Sequence, residues 1–92
     1  MGATPVNHSP ATGIIDRVEA NGAGPDSGEV VIRLLDDKQR EQRFWIFLTS
    51  ENRDEFFWFL RVAFESMWDG KSVRITSDER YGHQVVTQIK VV

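Results

Sequence analysis

One segment of this chain reads as a helix, with three strand-like segments before it and two after. That order constrains the fold more than any other feature. Residues 52–68 carry Phe56, Phe57, Leu60, Ala63, Phe64, Met67 and Trp68 at helical spacing, predicting one broad core-facing side. Asn52 followed three residues later by Glu55 predicts a capping-box variant at the start. Asp69-Gly70 predicts the stop, with Gly70 in the left-handed position after the last turn. The strands are expected at 13–20, 29–35, 41–48, 71–76 and 83–92, because these runs are short, β-branched or aromatic, and bounded by turn formers. In the last of them, Val85, Thr87, Ile89 and Val91 are expected on one face. Residues 21–28 read as a loop, 36–40 as a charged hairpin turn and 77–82 as a second turn. Residues 1–12 read as a flexible N-terminal arm, which leaves 13–92 as a single domain.

A single helix of this length cannot cover both faces of a five-stranded sheet. The economical solution is a mainly β (α+β) fold: a strongly bent sheet closes into a small barrel, and the helix between strands 3 and 4 plugs one open end. The segments GEVVIRLLD (28–36), EQRFWIFL (41–48), FLRVAFESMWDG (59–70), KSVRIT (71–76) and QVVTQIKVV (84–92) follow one another in this order. In that layout the chain resembles an OB-fold, and more narrowly the B subunits of cholera-like and pertussis-like toxins. The resemblance implies a glycan-binding module whose helix packs between neighbours in a ring.

The charge balance limits what such a domain binds. Lys and Arg number 11 against 14 Asp and Glu, a net charge of −3 over 92 residues. A duplex-DNA binder normally carries a basic face, because much of its affinity comes from neutralising phosphates. The chain has no cysteine, so disulfides, thiolate metal sites and cysteine nucleophiles are all excluded. No apolar run approaches the ~20 residues of a membrane span. The N-terminal residues have neither a basic nor an apolar leader region, and the expected location is cytoplasmic.

Two surfaces stand out as candidate sites. On the helix, Trp58 and Val62 interrupt the side carrying Asp54, Glu55, Arg61, Glu65 and Ser66, with Phe59 at its edge. Tryptophan is enriched at interface hot spots, so Trp58, Val62 and Phe59, rimmed by Arg61 and Glu65, are the expected oligomer interface. Val31 and Leu35 flank Arg33 on the second face of strand 2, a weaker sign of a covering neighbour. The second surface is the sheet face across strands 2 and 3. It offers Arg33, Arg43, Trp45 and Phe47, with Tyr81 and His83 in the nearby turn. Guanidinium and aromatic planes together stack a base or a sugar ring. Neither His8 nor His83 sits in a catalytic or metal-binding spacing, and Asp36-Asp37 reads as a solvated turn; no enzyme, metal or cofactor is expected. The resulting expectation is a non-catalytic oligomeric interaction module. The alternatives are a single-stranded nucleic-acid binder and a glycan-binding module.

Overall fold

Strand pairing closes on itself in this chain. The computed structural model describes residues 10–24 and 27–92. Five strands and one helix follow in order: β1 (Ala11–Gly24), β2 (Ser27–Leu35), β3 (Glu41–Leu48), α1 (Arg53–Asp69), β4 (Ser72–Arg80) and β5 (His83–Val91). The expected arm falls mostly on residues 1–9, outside the described residues, and the strand already begins at Ala11. The expected loop at 21–28 is largely strand as well: β1 and β2 pair antiparallel from Ile14↔Leu35 out to Gly24↔Ser27.

The ring order is β1-β2-β3-β5-β4, with β4 returning to β1. All pairings are antiparallel except β3 with β5, which meet in parallel at Trp45↔Val85. The bend that permits closure lies at the start of β1. Thr12 and Gly13 pair with β4, and Ile14 pairs with both Ser72 of β4 and Leu35 of β2. A side chain on Gly13 would lie 2.2 Å from the Leu35 carbonyl oxygen, so the crossing tolerates only glycine.

Alternation along the strands builds the core. Val30, Ile32 and Leu34 of β2, Phe44 and Ile46 of β3, and Val73 and Ile75 of β4 point inward with Ile15 of β1. In β5 the parity breaks. Val86 and Ile89 are the buried residues, three apart, because the register with β4 shifts between Thr76 and Ser77. The shift leaves Thr87 as an extra residue, and its hydroxyl donates to the Thr76 carbonyl at 3.1 Å. The expected single face of Val85, Thr87, Ile89 and Val91 is therefore split by a bulge.

α1 packs on β1, β3 and β5 and fills the core from one side with Phe56, Phe59 and Ala63. Its start differs from the expected capping box: the Asn52 side chain makes no bond to the helix. Instead Asn52 Oδ1 accepts from the Thr49 amide at 2.7 Å, and Nδ2 donates to the Phe47 carbonyl at 2.7 Å, fastening the helix start to the end of β3. The stop is as expected. Gly70 is left-handed, its amide donates to the Met67 carbonyl at 3.2 Å, and the Lys71 amide donates to the Ser66 carbonyl at 3.0 Å, which is a Schellman motif. Among the described residues, no helix is long and apolar enough to cross a membrane.

Candidate functional site

The outer face of β2 and β3 is set by the same alternation that fills the core. If Val30, Ile32 and Leu34 point inward, then Glu29, Val31 and Arg33 point outward. Pairing with β3 places Arg43 opposite Arg33, Trp45 opposite Val31 and Phe47 opposite Glu29. The parallel contact with β5 then brings in the β4–β5 turn. His83 stacks on Trp45 with ring centroids 4.2 Å apart and planes 26° from parallel. Phe47 meets Tyr81 edge-on at 6.0 Å and lies tilted to His83 at 6.3 Å. Four rings from two distant segments thus form one continuous run: Trp45, His83, Phe47, Tyr81.

The turn that presents Tyr81 is strained. Arg80 pairs with His83, leaving Tyr81 and Gly82 as a two-residue hairpin loop. Both have positive φ, 56° and 77°, the pattern of a type I′ turn. Asparagine or aspartate is the usual non-glycine choice there, and a residue with a full β-carbon costs about 1–2 kcal/mol in this conformation. The tyrosine ring gains little burial in return, since Tyr81 is 86% exposed. Beneath it, between the end of β3, the start of α1 and β5, lies a cleft of about 520 Å³ whose walls include Phe47, Asn52, Glu55, Tyr81, Val85 and Thr87.

Arg33 does not join this surface. The register shift between Ile15 and Arg17 makes Asp16 a bulge residue on the neighbouring strand, and a bulge re-aims its side chain. Arg33 donates from Nε to Asp16 Oδ1 at 2.9 Å and from a terminal nitrogen to Asp16 Oδ2 at 2.8 Å, and it pairs with Glu41 at 3.3 Å. That two-pronged geometry is among the strongest a guanidinium makes. The bonds from Arg33, reinforced by its charge, hold the Asp16 carboxyl below its ordinary pKa against a partial loss of hydration. Of the two expected arginines, only Arg43 remains on the platform, exposed beside Trp45. Asp36 is likewise a structural residue. Its carboxylate accepts from the Lys38 and Arg40 amides and from the Arg40 guanidinium, at 2.8, 2.9 and 2.8 Å, and these bonds lower its pKa.

The expected helix interface is not a single surface. Phe59 is 5% exposed and belongs to the core, and Val62 packs against it. Trp58 is exposed at 57%, and Arg61 and Glu65 form an ion pair with each other at 3.4 Å. The core-facing arc is turned round the helix from the expected one. Phe59 and Ser66 are inside, whereas Phe57, Phe64 and Trp68 are outside at 49%, 47% and 88% exposure. Ser66 explains much of the discrepancy. Its hydroxyl donates to the Val62 carbonyl at 2.7 Å, with the Ala63 carbonyl also within reach at 3.1 Å, so a polar residue sits in the core without an unmet hydrogen bond.

His8 lies outside the described residues. Among the described residues, no three His, Asp or Glu side chains gather as a metal site requires. Compared with known proteins, the chain shows no significant match to a family model, a curated protein or a solved structure. The chemistry of the site rests on the residues themselves.

Proposed function

We propose that this protein is a non-catalytic binding module, an OB-like five-stranded barrel that captures a ring-bearing ligand on the outer face of β3 and β5. The ring order β1-β2-β3-β5-β4 and a helix between β3 and β4 support the OB-like reading, in which ligands lie across strands 2 and 3 and the adjoining loops. The same layout underlies the resemblance to the toxin B subunits.

The observation that carries the reading is Tyr81. A large aromatic ring is held in a costly left-handed conformation at the tip of a hairpin, almost fully exposed, at the end of a run of three further rings. Backbone strain of this kind clusters at binding and active sites; Gln39 shares the conformation, at φ 63°, but brings no ring to a surface. Exposed aromatic planes stack on sugar rings and nucleobases alike. Charge favours the sugar. The platform and its surroundings carry Glu29, Asp78 and Glu79, Arg80 is engaged by Asp78 at 3.4 Å, and Arg33 is neutralised by Asp16 and Glu41. Arg43 is the specific observation that keeps single-stranded nucleic acid as the second reading, since it offers one phosphate contact beside Trp45.

Tryptophan fluorescence tests this directly. In a Trp58→Phe, Trp68→Phe background, Trp45 is the sole reporter. Neutral oligosaccharides should shift its emission saturably with little dependence on salt, and Tyr81→Ala should weaken binding by roughly 5- to 100-fold, as loss of one stacking partner does. Binding of oligonucleotides alone, declining steeply with salt, selects the second reading. Silence toward both classes refutes the proposal.

A further inference from the structure

The exposed rings of α1 are not scattered. Starting at Asp54, the positions 54, 57, 61, 64, 68 and 71 advance by alternating steps of three and four, the spacing of a coiled-coil seam. Their occupants are Asp54, Phe57, Arg61, Phe64, Trp68 and Lys71, all exposed, with Lys71 just beyond the left-handed cap. The series is complementary to its own reverse. Running it antiparallel against itself sets Asp54 against Lys71, Phe57 against Trp68, and Arg61 against Phe64. These are an ion pair, an aromatic pair and a cation over a ring face, each made twice.

We propose that α1 packs against α1 of a second copy of this chain, antiparallel about a two-fold axis level with the midpoint of residues 62 and 63. A two-fold interface requires that residue i meet j wherever j meets i, and here each pair so formed is chemically matched. The acidic first turn, Asp54 and Glu55, faces Lys71, which follows the Gly70 cap beyond the last helical residue, Asp69, and the antiparallel helix dipoles attract. The exposed parts of Phe57, Phe64 and Trp68 come to about 400 Å² per copy, taking 150–250 Å² for a whole aromatic side chain. Apolar area on that scale matches the largest patch of a typical monomer, which is often functional. Doubled by symmetry and extended by Arg61 and Lys71, it approaches the ~1,200 Å² at which specific interfaces begin. The Arg61–Glu65 pair within one helix is exposed and weak, so redirecting Arg61 costs little. Trp58 is exposed at a flanking position, one helical turn from both Asp54 and Arg61, and borders the seam rather than forming it. None of the six seam residues lines the cleft beneath Tyr81, although the first turn of α1 borders it at Glu55.

Sedimentation equilibrium over a concentration series tests the pairing. The parent chain should rise from 10.6 kDa toward twice that mass. Phe64→Glu and Trp68→Lys, both at exposed positions, should each raise the dissociation constant at least about 30-fold. Arg74→Glu, at an exposed position of β4, should leave it within about twofold, since surface changes outside a contact have small effects. Asp54→Lys should weaken the dimer and the double change D54K/K71D should restore it. A parent chain that stays at 10.6 kDa up to about 1 mM overturns the proposal. So does a dimer that survives Phe64→Glu and Trp68→Lys, one broken by Arg74→Glu, or a charge swap that fails to rescue.

Discussion

Tyr81 occupies a backbone conformation that glycine and asparagine adopt readily and a tyrosine does not. Two effects therefore separate at this residue. Tyr81→Asn should raise stability by about 1 kcal/mol, read as a shift of the urea midpoint at unchanged slope, while abolishing the edge contact with Phe47 and weakening ligand capture. A variant that is both less stable and unchanged in binding would show that the ring serves the fold. Asp16 is the opposite case, a residue whose charge serves the fold. Its pKa is lowered by Arg33, so its contribution is complete above the ordinary value of 3.8 and is lost as pH falls through the lower folded value. Thermal midpoints measured between pH 2 and 5 should fall more gently in Asp16→Asn than in the parent, with the two curves converging at the acid end. Asp36 titrates in the same direction, so the parent retains some acid sensitivity when Asp16 is replaced.

At the scale of elements, single residues reset whole faces. Gly13 lets β1 cross from β4 to β2, and Gly13→Ala should cost about 2–3 kcal/mol in a denaturant titration, because the added methyl meets the Leu35 backbone rather than a movable side chain. Retention of full stability would mean that the ring closes without that contact. The order of elements was readable from the sequence because turn formers bracket every strand and Gly70 ends the helix. The two bulges were not. Nothing local distinguishes Asp16 or Thr87 from its neighbours; each becomes an extra residue only when its partner strand fixes the register. The helix face failed for a related reason. Aromatic residues surround α1, so periodicity alone does not choose which arc faces the ring, and a hydroxyl that bonds back to its own helix hides Ser66 in the core. The platform was legible in part. Trp45, Phe47, Tyr81 and His83 were singled out from strand alternation and the turn, whereas the removal of Arg33 depends on a carboxylate 17 residues away.

For the molecule as a whole, closing five strands into a ring disposes of most open sheet edges and divides the surface into distinct regions. The parallel meeting of β3 and β5 is the joint on which the account depends, since it alone carries the β4–β5 turn to the face of β3. Helix α1 packs on β3 and β5 and borders the cleft beneath Tyr81 at its first turn, while Phe57, Phe64 and Trp68 face away from the core. The most direct test of the central claim is an amide-resolved NMR titration of the isotopically labelled chain with a neutral oligosaccharide. The account predicts shift changes concentrated at Arg43, the Trp45 indole, Phe47 and the segment from Arg80 to His83, with α1 unmoved. Changes centred on α1 or on the Asp36 turn, or no change at millimolar ligand for either sugar or oligonucleotide, would contradict it.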